Sequence, residues 1–138
     1  MTLLVRPWAR DQALYEWEWR DLLHRPGVSR TDLGSIRRMA NEIWAAEKWY
    51  KLWACPQVAV LKGKPREASC IGCSLLLFGV RRMDPVTLCH ELTHARRLGT
   101  STNMHTRGFV EQYILLLSKY LGWHIGELEF QAFARRLI

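Results

Sequence analysis

The chain has 138 residues, of which 49% are hydrophobic and 24% charged, as in a soluble globular domain. Its longest apolar runs, at 75–78 and 114–117, are too short to cross a membrane. The N-terminal stretch MTLLVRPWAR lacks the apolar segment of a signal peptide. We therefore expect a cytoplasmic protein with a single domain over residues 1–138, whose four cysteines are reduced thiols.

The formal net charge is +7 and the sequence pI is about 9.6. Such a balance favours polyanionic partners, nucleic acid above all. The 20 Lys and Arg residues are nevertheless spread along the whole chain, in runs no longer than two. Two interpretations therefore stay open, a solvated basic surface and nonspecific nucleic-acid binding.

The first third of the chain predicts two helices. Residues 10–24 have helical periodicity and end at Pro26-Gly27. The stretch from Ser29 to Asp32 has the form of a capping box, and it predicts a second helix that runs to about Trp49. Aromatic residues within these patterns are expected in the core; they are Trp17, Trp44 and Trp49.

The middle of the chain predicts three short strands, at 57–62, 67–70 and 74–78. A turn over 63–65 and Gly72 separate them. The third strand has two interpretations. It could line an active-site cleft and pair with an extended peptide by strand addition, or it could be a buried strand.

Three helices follow. Asp84-Pro85 supplies an N-cap and a proline at the first helical position, and this helix should stop at Leu98-Gly99. A fourth helix follows the polar loop at 100–103, carries Phe109 on its apolar side and ends at Gly122, and a last one covers 127–137. The fold class predicted is α+β, with two helices, a small three-stranded sheet and then three helices.

The third helix carries His90-Glu91-Leu92-Thr93-His94, which fits the pattern H-E-x-x-H. Histidines four residues apart project from one face of a helix, and two imidazoles at that spacing can bind one zinc ion. Glu91 lies about a hundred degrees round the helix, where it can act as general base on a zinc-activated water without being a ligand. A chance match on an amphipathic helix is the alternative. The clear N-cap and the strands before the motif favour a metal site.

A catalytic zinc ion usually has three protein ligands and one open position. His105, which follows His94 after a polar loop at the start of the next helix, is the preferred third ligand. Glu111 and His124 are alternatives, and His24 is a weaker one.

The string HELTHA, followed by H-x-x-x-F at the start of an apolar helix, resembles the minimal zincins. In particular it resembles the SprT-like metallopeptidases and a group of small metallohydrolases from actinobacteria and their phages. The likeness to the second group covers about residues 57 to 121, including the basic hairpin at 62–66. In both groups the third-ligand string is HGxxF, whereas here Gly108 does not directly follow His105. The resemblance implies a zincin-like fold and hydrolytic activity, and only weakly a DNA-linked substrate, because no zinc ribbon is visible.

Cys70 and Cys73 form a CxxC pair, and with Cys55 and Cys89 they invite an all-cysteine zinc site. Cys89 lies within the motif helix, and a strand through 70–73 would send the two thiols of the pair to opposite faces. We therefore expect buried, inert thiols.

Zincins also need a group that stabilises a tetrahedral intermediate. The candidates are Tyr113, Tyr120, Arg107 and His124. Each has an ordinary structural alternative, as a core residue or a solvated charge, and none is preferred.

Taken together, the sequence predicts a zinc-dependent metallohydrolase, specifically a peptidase acting on a peptide or protein. Zn²⁺ would be held by His90, His94 and His105, with Glu91 as the catalytic residue. The rival is a zincin-fold nucleic-acid-binding or regulatory protein with a structural or vestigial zinc. An intact Glu91 favours the enzyme, because a purely structural zinc site has no need of an acid there. The formal net charge of +7 favours the nucleic-acid-binding or regulatory protein.

Overall fold

The computed structural model describes residues 7–97 and 105–138. The described chain is α+β, as the sequence predicted, and it divides into two compact units. Unit 1 comprises Met1–Gly27 and Thr102–Ile138, and unit 2 is Val28–Ser101. The expectation of a single domain stays a prediction. Within the described ranges, no helix has the length and apolar character needed to span a bilayer.

Unit 2 contains a three-stranded sheet and two helices. The strands are β1 (Gln57–Val60), β2 (Ala68–Ile71) and β3 (Leu75–Phe78), and the helices are α2 (Leu33–Ala46) and α3 (Pro85–Arg97). All three predicted strands are present, although each is slightly shorter or shifted by one residue. In unit 1 the helices are α1 (Pro7–Arg20), α4 (Arg107–Leu121) and α5 (Ile125–Ala134).

The sheet has the order β1-β3-β2, with β3 parallel to β1 and antiparallel to β2. Leu76 and Phe78 of β3 are fully buried. The interpretation of 74–78 as a buried strand is confirmed. The alternative, in which this strand pairs with a peptide, is wrong because β1 and β2 already occupy both of its edges.

The second helix begins three residues later than the capping-box pattern predicts. Asp32 itself is the N-cap, and its Oδ1 accepts a hydrogen bond of 2.7 Å from the Ser35 backbone N–H. The helix ends at Ala46 because Lys48 adopts a left-handed conformation with φ of 59°. Trp49 therefore lies in a separate 3-10 turn, where its ring meets that of Trp44 edge-on at 5.1 Å.

The core of unit 2 forms where α2 packs against β1 and α3 packs against β2 and α2. Apolar residues at helical spacing on α2 are buried; they are Ile36, Ala40, Ile43 and Trp44, the last of which the sequence predicted in the core. This burial stabilises unit 2, in which the motif helix lies beside the edge strand β2, since apolar surface removed from water is the main stabilising term in folding.

Unit 1 packs α1 against α4 and α5 around Trp17, whose Nε1–H donates to Oε1 of Gln131 at 2.9 Å. The predicted first helix is divided, because α1 ends at Arg20 and a 3-10 turn covers Leu22–His24. Gly122 ends α4 in the left-handed conformation, as the sequence indicated. The last helix begins earlier than predicted because the side chain of His124 caps it.

Candidate metal centre

The motif helix α3 starts with the cap that the sequence predicted. Both carboxylate oxygens of Asp84 accept hydrogen bonds from Thr87, one from its backbone N–H and one from its hydroxyl, each 2.8 Å long. Burial raises the pKa of Asp84, and the bonds from Thr87 only partly oppose that rise. The cap thus fixes where the helix begins and, with it, the direction in which the motif side chains project. The predicted end at Leu98-Gly99 lies outside the described residues.

The four polar residues of the motif are all withdrawn from solvent, and Thr93 is fully buried. His90, Glu91 and His94 are 5%, 6% and 9% exposed. The His90 and His94 rings have centroids 5.0 Å apart and are tilted by 57°, as expected for imidazoles one helical turn apart. His90, Glu91 and His94 each have an interaction partner, as buried polar groups generally do.

Helix α3, which carries Glu91, packs against the edge strand β2. Burial raises the pKa of the Cys70 thiol on β2 to about 12, and the charges of Glu91 and Cys73 add to that rise. An electrostatic effect of this kind requires the Glu91 carboxylate to be near Cys70. The helix that carries the predicted general base therefore lies beside an edge of the described sheet.

His105 is held in place by α1 and α4 of unit 1. Its Nδ1 lies 2.7 Å from Oδ1 of Asp11, and its side chain is 6% exposed. The rings of Tyr15 and Phe109 meet the imidazole edge-on, at centroid distances of 5.5 and 4.9 Å. Because Asp11 takes Nδ1, Nε2 is the nitrogen with which His105 can ligate a metal ion.

The backbone of His105 is fixed as well. Arg10 donates from Nε to the carbonyl oxygen of His105 at 3.1 Å, and from its two terminal nitrogens to the carbonyls of Arg136 and Leu137 at 3.2 and 2.8 Å. One guanidinium thus ties the start of α4 to the C-terminal end of the chain, so both ring and backbone of His105 are constrained within unit 1.

The structure brings together the three histidines that the sequence selected. His90, His94 and His105 each offer one ring nitrogen, and these atoms all lie within 4.8 Å of one another. Among residues 7–97 and 105–138, this is the group of histidine, cysteine, aspartate and glutamate side chains close enough to hold a metal ion. Three imidazoles suit zinc, copper, iron or nickel, and the carboxylate on His105 is the outer-shell partner that such ligands usually have. The cluster therefore fits a metal ion, without identifying which one.

The alternative third ligands have other structural roles. Glu111 is exposed on α4 and pairs with Nε of Arg107 at 2.7 Å. His124 is exposed and accepts the backbone N–H of Glu127 at 3.2 Å as the cap of α5. His24 is exposed in the 3-10 turn after α1. None of the three belongs to the histidine cluster.

Of the candidates for stabilising an intermediate, Tyr113 has the most distinctive environment. It is fully buried, and its hydroxyl donates to Oε2 of Glu18 at 2.6 Å. Glu18 is itself only 8% exposed. Arg107 pairs with Glu111 and His124 caps α5, and Tyr120 is half-buried.

Sequence reasoning missed Asp11 and Glu18. They are seven residues apart on α1, which places them on one helix face. Asp11 bonds to His105, and Glu18 bonds to Tyr113 two turns further along the partner helix. Glu18, which lies next to the buried Trp17, was a usable signal, because acids are rarely buried unpaired. Asp11, whose side chain is 42% exposed, had no such signal.

The cysteines are free thiols within the described chain. Cys89 is buried as expected, whereas Cys55, Cys70 and Cys73 are half-buried, so the expectation of four buried thiols is wrong for these three. β2 ends at Ile71, and Cys73 therefore lies in a turn rather than on a strand with Cys70. The Cys70 thiol donates to the carbonyl of Gly72 at 2.9 Å.

The chain matches no protein-family model, no curated protein and no solved structure. The fold and the site therefore define a class of protein. It is an α+β protein with a buried three-histidine cluster that is able to hold a metal ion. The resemblance to zincins and SprT-like metallopeptidases rests on the motif residues alone.

Proposed function

We propose that the protein is a zinc-dependent metallohydrolase, specifically a peptidase with a zincin-like site. The observation that carries the proposal is the cluster of His90, His94 and His105, whose ligand nitrogens lie within 4.8 Å of one another. Three histidine ligands with one position left for water or substrate are a common ligand set of catalytic zinc.

His90, His94 and His105 would hold the metal. Zinc, when bound, supplies a Lewis acid that lowers the pKa of a water molecule and polarises a carbonyl group. Asp11 accepts the Nδ1–H of His105 and so fixes the tautomer that presents Nε2 as ligand. Arg10 holds the backbone of the same residue, which keeps the ligand within the geometry that metal binding requires.

Glu91 would act as general base. It directly follows His90 on α3 and is 6% exposed, and it occupies the position of the general base in the H-E-x-x-H pattern. It would accept a proton from the attacking water and then donate that proton to the leaving amine. A purely structural metal site has no need of an acid at this position.

The position of β2 supports a peptide as substrate. β2 is an edge strand of the described sheet and packs beside α3, the helix that carries Glu91. Ser69 and Ile71 are exposed along it, in alternation with half-buried Ala68 and Cys70. An extended peptide can add to such an edge through main-chain hydrogen bonds, which would place its backbone close to the general base.

The test compares the zinc-loaded parent with Glu91→Gln on a peptide library read by mass spectrometry. Glu42→Gln, an equivalent change at an exposed position on α2, is the matched control. We expect cleavage products from the parent and the control that chelation abolishes and that Glu91→Gln lacks.

The rival function, a nucleic-acid-binding or regulatory protein with a structural or vestigial zinc, gives the opposite result. In that case the parent binds zinc and melts at a higher temperature with it, yet yields no products that Glu91→Gln lacks.

A further inference from the structure

Most of the excess positive charge belongs to unit 2. Val28–Ser101 contains twelve Lys and Arg residues against six Asp and Glu, a formal charge of +6 out of the total +7. Unit 1 is nearly balanced, with eight Lys and Arg residues against seven Asp and Glu. Any surface suited to a polyanion should therefore be sought on unit 2.

Two loops of unit 2 lie directly against each other. Residues 61–67 connect β1 to β2, and residues 79–84 connect β3 to α3. The backbone N–H of Gly79 donates to Glu67 at 2.7 Å, and that of Arg81 donates to Pro65 at 2.8 Å. The approach at Gly79 is so close that a Cβ there would lie 2.3 Å from the carbonyl oxygen of Lys64.

This juxtaposition gathers five cations, which we call the basic loop cluster: Lys62, Lys64, Arg66, Arg81 and Arg82. The first four are exposed and Arg82 is half-buried. Arg82 also donates from Nε to the carbonyl of Arg66 at 2.8 Å, so its guanidinium is oriented before any partner arrives.

Two acids lie within the two loops. Asp84 is buried at the start of α3, where the charge of Arg82 acts to lower its pKa against the effect of burial. Glu67 lies 3.7 Å from Nζ of Lys64. Both side chains are more than 60% exposed. Such a pair contributes little and is easily displaced, so the cluster keeps a strongly positive character.

We propose that the basic loop cluster binds the phosphate backbone of nucleic acid without sequence preference. Ammonium and guanidinium groups are the side chains that contact phosphates, and two loops held together by backbone hydrogen bonds present them as one surface. The inference is independent of hydrolysis at the histidine cluster.

Nucleic acid fits this surface better than a membrane does. Binding at a lipid surface combines cations with a substantial apolar face. In the two loops the large hydrophobic side chain with high exposure is Val80. A single valine offers little apolar area for insertion, whereas the five cations suit a row of phosphates.

The test is fluorescence anisotropy of the full chain with a labelled random-sequence oligonucleotide, single-stranded and duplex, between about 50 and 200 mM NaCl. The variant is Lys62→Gln/Lys64→Gln/Arg66→Gln. The matched control is Arg20→Gln/Lys51→Gln/Lys119→Gln, which removes three exposed cations elsewhere and leaves the same net charge.

We expect the parent to bind at low salt and to weaken steeply as salt rises. The loop variant should bind at least about tenfold more weakly, and its slope of log K against log salt on duplex DNA should be less steep by about two to three. The control should stay within about threefold of the parent if position rather than net charge decides affinity.

Three results would overturn the proposal: no binding by the parent at low salt, equal losses in variant and control, or binding to phosphatidylserine vesicles but not to DNA. The last would assign the surface to anionic membranes. If circular dichroism shows that the loop variant does not fold, Arg81→Gln is measured in its place. The same results decide, and the expected loss of affinity for the oligonucleotide is proportionally smaller because only one cation is removed. That change keeps the backbone N–H that Arg81 donates to Pro65.

Discussion

Nδ1 of His105 lies 2.7 Å from Oδ1 of Asp11, although 94 residues separate the two in sequence. The contact determines which ring nitrogen remains for a metal ion and holds the ring at a fixed angle. It also makes Asp11, which no motif marks, part of the candidate metal centre.

Asp11→Ala should weaken zinc affinity by about 10–100-fold, the usual loss when an outer-shell partner of a ligating histidine is removed. Asp11→Asn should lose less, because its amide oxygen can still accept the Nδ1–H. Competition with a chromogenic chelator measures both affinities. Glu16→Gln, at an exposed position of α1, is the control. Unchanged affinity in Asp11→Ala would show that His105 is not oriented through this contact.

Glu91→Gln should keep zinc and fold while hydrolysis falls by about 10²–10⁴-fold, the usual cost of losing a general base. The measurements are zinc content, melting temperature and kcat/KM on a peptide that the parent cleaves. A variant that loses its zinc would place Glu91 among the ligands rather than beside them.

Tyr113→Phe should lower the free energy of unfolding by about 1–3 kcal/mol, because it removes the donor from a buried carboxylate. Glu18, which accepts this bond at 2.6 Å, is 8% exposed. Urea denaturation measures the change, with Tyr50→Phe at a 58% exposed site as the control. Equal stability of both variants would contradict a structural role for the bond.

The thiols of Cys70 and Cys89 should react slowly with alkylating reagents at about pH 8, because only the thiolate is nucleophilic. Burial raises the pKa of both, that of Cys70 to about 12 from an ordinary 9.0. Above pH 9.0 the unfolded chain releases these protons while the folded chain keeps them, so the free energy of unfolding should fall as pH rises further. Mass spectrometry of protein alkylated in the native and in the unfolded state measures how slowly each thiol reacts. Rapid native labelling of either residue would contradict the burial described for it.

Local chemistry was sufficient to predict the motif helix. Asp84, Pro85 and the spacing of the histidines act within a few residues of one another, and the structure has the helix where the sequence placed it. The second helix shows where such rules fail. Ser29 and Asp32 are both able to cap, and the backbone N–H of Thr31 donates to Met83 at 2.7 Å. That long-range bond keeps the chain extended up to Asp32, and no local pattern contains it.

The same limit applies to the site and to the basic surface. The sequence indicated His105 by its distance from the motif, but the partners that hold it, Arg10 and Asp11, come from the opposite end of the chain. Likewise, the cations looked evenly dispersed until the fold brought residues 62–66 against residues 81–82. Both features depend on tertiary contacts between residues far apart in sequence.

The most direct test of the central claim is anomalous diffraction at the zinc edge from a crystal grown with zinc. We expect one peak per chain, at about 2.0–2.1 Å from a ring nitrogen of each of His90, His94 and His105, with Glu91 close by but not bound to it. A peak that lacks His105 among its ligands, or one at the cysteines instead, would contradict the three-histidine metal centre.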